Sequence, residues 1–423
     1  MNTQLNIDRH PCFNVKVKGE CGRVHLPVAP KCNILCNYCN RKYDCVNESR
    51  PGVTSAVLKP KQAIAYLERV LEAEPRITVA GIAGPGDPFA NPQETLETVR
   101  LIRRQFPDLL LCLATNGLGL PPHLDELAEL QVSHVTLTVN AVDPEIGSRI
   151  YRWVRDGKVI YRGRKAAEVL LARQLESIRG LKARGITVKI NTIIIPGIND
   201  HHVQEVAGRM AELDADILNC MPVFPTADTP FGHLPEPPPE QMTAIRREAS
   251  QLIPQMHHCT RCRADAVGLL DADRTDEFRG CLSACASSVP ASPDRPYVAV
   301  ATQEGVLVNL HLGEAASFQI WGIEDGAYKM LEERPAPRPG GGPDRWWTMA
   351  ETMQDCRAVL VSGIGDTPAA ILSEAGVEPV VMNGFIDMAL STIYEGGDLS
   401  ALKGRRRGVA GGCSRKKSGE GCG

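Results

Sequence analysis

Three things are missing from this 423-residue chain. Charge of one sign is not in excess: 47 basic residues face 50 acidic ones, so no field is available to hold a polyanion and nucleic acid is not an expected partner. No apolar run is long enough to cross a bilayer, so no membrane role is expected. The opening Met-Asn-Thr-Gln-Leu-Asn-Ile-Asp lacks the basic-then-apolar pattern of a secretory leader. Together these absences point to the cytoplasm, where the 15 cysteines would stay reduced. An odd number of thiols at short spacings then favours metal ligation over disulfides.

What is present is sulfur in a pattern. Cys32, Cys36 and Cys39 form a CxxxCxxC run, which offers three thiolates and no fourth. A cubane iron–sulfur cluster takes one ligand per iron, so three cysteines leave one iron open to a small molecule. With Tyr38 before the last cysteine, the run resembles that of the radical S-adenosylmethionine enzymes, whose spare iron binds the amino and carboxylate groups of that cofactor. A zinc site with a distant fourth ligand is the alternative.

The length allows a barrel-sized domain and a smaller one. From Arg23 to about Met221 short apolar strands alternate with amphipathic helices, the signature of β/α units on a parallel sheet. The expected strands are Val24–Ala29, Ile77–Ile82, Leu109–Ala114, Val135–Val139, Thr187–Ile195 and Ile217–Met221, six units of an incomplete barrel. Val203, Val206, Ala207 and Met210 share a helical face behind Asp200, a candidate cap. The first strand runs into the cysteine motif, so the cluster is expected at the C-terminal mouth of the sheet. Loops at that mouth carry Gly84, Pro85, Gly86 and Asp87, then Thr115 and Asn116, Asn140 and Asn191, all candidate cofactor-binding residues. Two glycines and two prolines let the Gly84–Pro88 backbone approach a ligand closely in a fixed shape.

Beyond the motif, Cys12, Cys45, Cys112, Cys259 and Cys262 need explaining, as does Cys21. Cys259-Thr-Arg-Cys262 can hold zinc or give one thiolate to each of two clusters, and His257 or His258 could supply a further zinc ligand. Cys112 is as well read as a core thiol. His25 lies on the first strand amid these thiols, a packing residue or a ligand. Cys281 and Cys285 are small helix residues. After the Ala/Ser/Pro-rich stretch 286–296, strands come first and β/α units later, a small α/β layer. The tail from Lys403 is basic, Gly-rich and expected to be disordered.

The run from Cys32 to Val53 resembles the NifB family, the radical S-adenosylmethionine maturases of the nitrogenase cofactor. His10-Pro-Cys12-Phe, Ala83-Gly-Pro-Gly-Asp-Pro88, Cys112-Leu-Ala-Thr-Asn-Gly117 and Cys259-Thr-Arg-Cys-Arg-Ala-Asp-Ala-Val-Gly-Leu269 match the same family. Val308-Asn-Leu-His-Leu-Gly-Glu314 and Ser362-Gly-Ile-Gly-Asp-Thr-Pro368 resemble the NifX/NafY-type domain that binds iron–molybdenum cofactor or its precursors. The implied fold is an incomplete (β/α)6 TIM-like barrel of the radical SAM type plus a small RNase H-like α/β domain. The implied layout is a cluster-ligand segment at 1–22, the partial barrel at 23–234, a second cluster-ligand extension at 235–285, a linker at 286–296, the cofactor-binding domain at 297–400 and a cysteine-containing tail at 401–423.

The resemblance implies a radical SAM cluster on Cys32, Cys36 and Cys39, and two further 4Fe-4S substrate clusters held by His25, Cys12, Cys45, Cys112, Cys259 and Cys262, three ligands for each. His25 and Cys45 are grouped on one of them and Cys12 and Cys112 on the other. The implied reaction fuses the two substrates into an 8Fe-9S-C precursor, with carbide from S-adenosylmethionine and a ninth sulfur from sulfite. Glu48 is a candidate proton handler or gate, and His311 a candidate contact for bound cofactor, with Cys356 behind it. Implied partners are iron–sulfur cluster donors, a low-potential electron donor, and a downstream carrier or scaffold of the NifX/NifEN type. Competing readings are another radical SAM enzyme, such as a molybdopterin-precursor cyclase, and a non-catalytic iron–sulfur scaffold. Cys21, Cys220, Cys281 and Cys285 carry no assigned role, and Cys413 and Cys422 could capture iron in transit.

Overall fold

A computed structural model describes residues 5–402, and the chain divides into one compact unit ending at Ala286 and another beginning at Ser287. Cys413 and Cys422 lie outside the described residues.

In chain order the strands of the first unit are Gly22–His25 (β1), Ile34–Cys36 (β2), Ile77–Ile82 (β3), Leu110–Thr115 (β4), Val132–Thr138 (β5), Tyr151–Asp156 (β6), Val159–Tyr161 (β7), Thr187–Ile194 (β8), Ile217–Pro222 (β9) and Val267–Gly268 (β10). Its helices are Pro60–Ala73 (α1), Pro92–Gln105 (α2), Leu124–Glu129 (α3), Pro144–Ile150 (α4), Gly163–Ala183 (α5), Val203–Ala211 (α6), Pro239–Ala249 (α7) and Thr275–Ala286 (α8). The main sheet has the order β10-β1-β3-β4-β5-β8-β9, with six parallel strands and β10 antiparallel at one edge. β9 and β10 do not pair, so the sheet stays open. This is the incomplete barrel of a radical SAM domain.

Period-two alternation sorts the strand residues by chemistry. Leu111, Leu113, Val135, Leu137, Val188 and Ile190 pack into the apolar cluster that also takes in Leu67, Val99 and Ile178 of the helices. The intervening residues His25, Cys112, His134, Lys189, Asn191 and Asn219 are polar or reactive. Register aligns these in rows: His25 is opposite Gly81, Gly81 opposite Cys112 and Cys112 opposite His134, while Asn191 lies beside Asn219. Gly81 keeps the first row open, since a Cβ there would stand 2.9 Å from the His25 ring.

Two features depart from the sequence expectation. A second sheet, β2-β6-β7, is built from the cysteine motif and the hairpin 151–161, because Tyr151, Trp153 and Val154 alternate and the turn carries Gly157 at positive φ. Asp200 does not cap α6. The cap position is His202, and the Asp200 carboxylate accepts instead from the Gly197 N–H and the Gln241 amide.

The second unit contains Tyr297–Val300 (β11), Leu307–Val308 (β12), Ser317–Glu324 (β13), Ala327–Pro335 (β14), Cys356–Val361 (β15), Glu378–Val381 (β16) and Gly384–Phe385 (β17). Its helices are Asp344–Thr352 (α9), Asp366–Glu374 (α10) and Ile386–Tyr394 (α11). The five-stranded order β14-β13-β11-β15-β16, with β13 antiparallel to its neighbours, gives the expected RNase H-like layer. β12 leaves that sheet and pairs with β17. Val289, in the stretch read as linker, is buried with Val298 and Leu390.

Candidate functional site

The cysteine motif is held by backbone rather than by its own side chains. β2 pairs Cys36 with Tyr151 of β6, and the Tyr38 hydroxyl donates to Asn47 at 2.8 Å while accepting from Asn140 at 2.7 Å. The Cys45 N–H donates to the Pro85 carbonyl at 2.7 Å, and the Gly86 and Asp87 N–H groups donate to Ala29 and Lys31. Gly86 sits flush on the chain entering the motif: a Cβ there would lie 2.1 Å from the Lys31 carbonyl oxygen. The Asp87 carboxylate accepts from the Thr115 hydroxyl, the Asn116 N–H and the Phe89 N–H. Glycine loop, Thr115 and Asn116 are therefore one hydrogen-bonded piece beside the motif.

That piece and the motif enclose a cavity of ≈ 430 Å³ lined by Cys32, Cys36, Cys39 and Cys45 together with Asp87, Thr115 and Asn116. Burial pushes the Cys32 thiol up to about 12, with Asp87 adding to the effect, and raises Cys36 and Cys45 well above their ordinary value, their neighbouring sulfurs contributing. Crowded thiols of this kind ionise when a cationic metal core lies among them. Among the described residues no three His, Cys, Asp or Glu groups converge on a single ion. The sulfurs frame a volume, which suits a multi-iron cubane better than zinc, and the donor set fits such a cluster on Cys32, Cys36 and Cys39.

A second cavity of ≈ 670 Å³ lies over the polar rows of the sheet. It is lined by His25, Cys12, Cys112, Cys259 and Cys262, so five of the six expected substrate ligands meet there. The sixth, Cys45, lines the smaller cavity. Asn47 and Glu48 line both, and form the wall between them. Glu48 accepts from Asn191 at 2.9 Å, and burial pushes its carboxyl up to about 7.

His25 is wired as a ligand. Its Nδ1 lies 2.9 Å from the Arg263 carbonyl, which can only accept, so Nδ1 carries the hydrogen and Nε2 keeps its lone pair. Burial lowers its pKa to about 4, which keeps the ring neutral as a metal ligand requires. Burial also pushes the Cys112 thiol up to about 12. Cys262 is held by a fork: Arg23 Nε and Nη2 both point at its Sγ at 3.3 Å. The rest of that guanidinium, 1% exposed, bonds Gly268 and Leu269 carbonyls and Asp273. His258 reaches the Pro11 carbonyl, fastening the Cys12 segment.

Some expected residues stand elsewhere. Asn140 uses its amide on Tyr38 and the Ile193 N–H. His311, in the second unit, is exposed and accepts from the Gly313 N–H, and Cys356 is fully buried. Cys21, Cys220 and Cys285 are buried. His10, Arg23, His134 and Lys189 were absent from the expected set. Lys189 had a visible signal, sharing strand parity with Asn191 inside an otherwise apolar run. Burial works against its ammonium, but Cys12, Glu48, Cys259 and Cys112 together raise its pKa.

The radical SAM superfamily matches residues 26–210, and the family described as dinitrogenase iron-molybdenum cofactor matches residues 295–396. The chain is 53% identical over 402 residues to the FeMo cofactor biosynthesis protein NifB of Chlorobaculum tepidum, covering 94% of this chain and 95% of that one. It is 42% identical to the protein of the same name from Klebsiella pneumoniae over 88% of this chain and 86% of that one. For the Azotobacter vinelandii protein the identity is 36%, over 89% and 86%.

Proposed function

Because the chain belongs to the NifB family of FeMo cofactor biosynthesis proteins and is a radical S-adenosylmethionine enzyme, we propose that it fuses two 4Fe-4S substrates into an 8Fe-9S-C precursor, with carbon from S-adenosylmethionine and one added sulfur. The observation that carries this is the shared wall: a cavity with the open-iron cysteine trio stands against a larger one lined by five further soft donors.

Cys32, Cys36 and Cys39 would hold the resident 4Fe-4S cluster, which when bound supplies the electron that cleaves S-adenosylmethionine to a 5′-deoxyadenosyl radical. Asp87, through Thr115 and Asn116, fixes the loop against which the cofactor would lie. His25, Cys12, Cys112, Cys259 and Cys262 bind the iron–sulfur substrates, and the smaller cavity's Cys45 adds a ligand where the two spaces meet. Fewer ligands than irons suits a substrate that must be rebuilt and released. A methyl carbon on its way to carbide sheds three hydrogens, one taken as an atom and two as protons. Glu48, with a carboxyl near neutrality on the shared wall, is placed to accept one. The second unit would hold the product at His311 for a downstream carrier. No helix among the described residues is long and apolar enough to cross a membrane.

Iron quantitation with electron paramagnetic resonance on oxygen-free protein tests this. Three distinguishable cubanes are expected, one of them responding to S-adenosylmethionine. One cluster accompanied by zinc would overturn it in favour of another radical enzyme.

A further inference from the structure

Two histidines line the larger cavity and are wired in opposite senses. His25 gives its Nδ1 hydrogen to a carbonyl and keeps a lone pair on Nε2. His10 does the reverse: its Nδ1 faces the backbone N–H of Cys12 at 3.2 Å. A peptide N–H only donates, so Nδ1 accepts and the ring hydrogen sits on Nε2. That Nε2 is buried with no hydrogen-bond partner, on a side chain only 2% exposed. Such a ring is a hydrogen-bond donor, since the lone pair a metal needs is on the wrong nitrogen.

Lys189 lines the same cavity from the middle of β8 and is 8% exposed. Its ammonium lies 5.7 Å from the centre of the Phe13 ring, and among the described residues it makes no hydrogen bond or ion pair. A buried cation and a buried N–H left open each cost on the order of 1 kcal/mol or more, so folding alone gives no reason to keep them together. Neighbouring groups do not share the task. Arg23 is spent on Cys262, Gly268, Leu269 and Asp273. His134 gives its Nδ1 hydrogen to Ser133, whose hydroxyl already donates to the Leu111 carbonyl.

We propose that His10 and Lys189 form a donor corner that grips an anionic inorganic sulfur species in the larger cavity, either a sulfide edge of the bound iron–sulfur substrate or a free sulfur oxoanion. The inference rests on the reading of this cavity as the substrate site. A cubane carried by thiolates has net negative charge, and a buried anion is tolerated where a cation and a directed N–H meet it. The ligand thiols add negative charge and cannot supply this, so the corner is what balances the site.

The test uses the full chain, prepared without oxygen, with Lys189→Met and His10→Phe removing one donor each. Redox titration followed by electron paramagnetic resonance reads the first source. If sulfide is gripped, the substrate-cluster midpoint potential shifts to more negative values in both variants, because lost positive charge and lost N–H to sulfur both disfavour the reduced form. The cluster that responds to S-adenosylmethionine keeps its potential, and Lys189→Arg restores the other. Calorimetry with sulfite on the cluster-free chain reads the second source. If the oxoanion is the occupant, sulfite binds, each variant loses at least tenfold in affinity, and the potentials stay. Potentials and sulfite binding both unchanged in folded variants of normal iron content overturn the proposal. Should Lys189→Met fail to fold, His10→Phe carries both arms. A wild-type chain holding only one cluster would instead overturn the substrate-site reading, and the sulfite arm would then decide the corner by itself.

Discussion

The two cavities of the first unit share a wall and differ in what surrounds their sulfurs. The smaller gathers four thiols from residues 32–45, with a carboxylate and no histidine among its lining groups. The larger draws its donors from positions as far apart as Cys12 and Cys262 and mixes thiols with His10, His25, Arg23 and Lys189. A site contained in one short segment keeps its geometry whatever the rest of the chain does, which suits a resident cofactor. A site assembled from five separate segments, with cations interleaved, can bind an anionic guest, change its bonding and let it go. The contrast is between a fixed tool and a workspace.

The largest effect is expected on the tool. Cys39→Ala should reduce S-adenosylmethionine cleavage to background while the larger cavity keeps its iron; loss of iron from both together would show that they are not independent. Next comes the workspace: His25→Ala should still fold and still cleave the cofactor, with precursor yield falling by roughly 100-fold, the upper end of what altered metal ligation shells cost. Normal yield would remove His25 from the ligand set.

The wall between them gives a smaller, pH-dependent signal. Glu48 has its carboxyl raised from 4.5 to about 7 by burial, so the folded chain holds this proton more tightly than the unfolded one does. Its contribution to stability is therefore favourable at low pH and is lost as pH rises through that window, by up to about 3 kcal/mol. Urea midpoints of cluster-free wild type and Glu48→Gln, compared at both ends of the window, should diverge; parallel curves would place Glu48 in contact with water. The smallest effect concerns the second unit. Truncation after Ser287 should leave carbide insertion intact, and an inactive but folded fragment would refute the separation of making from holding.

The smaller cavity and the barrel were legible in sequence because both are local. CxxxCxxC states its ligand number in eight residues, and the strands from Ile77 to Met221 announce themselves by apolar runs between helical stretches. The β2-β6-β7 sheet was missed because Ile34–Cys36 is three residues long and contributes no pattern of its own. Asp200 misled because a polar residue before a helix can bind a loop as well as a cap. The larger cavity was visible only through resemblance: no spacing links Cys12 to Cys262, and strand register alone sets His25, Cys112 and His134 in one row. Lys189 went unnoticed since one lysine in a strand usually marks a solvent-facing edge, whereas here β8 lies between β5 and β9.

The Arg23 fork has a consequence for when this protein can become active. One guanidinium near the start of the chain clasps Cys262, Gly268, Leu269 and Asp273, residues made some two hundred and forty positions later. On the ribosome the barrel strands emerge first, and their polar rows remain an uncovered trough until that late segment arrives and is clasped. Iron offered to a half-made chain would meet the local cysteine trio but no workspace, so maturation of the two centres is ordered by translation itself.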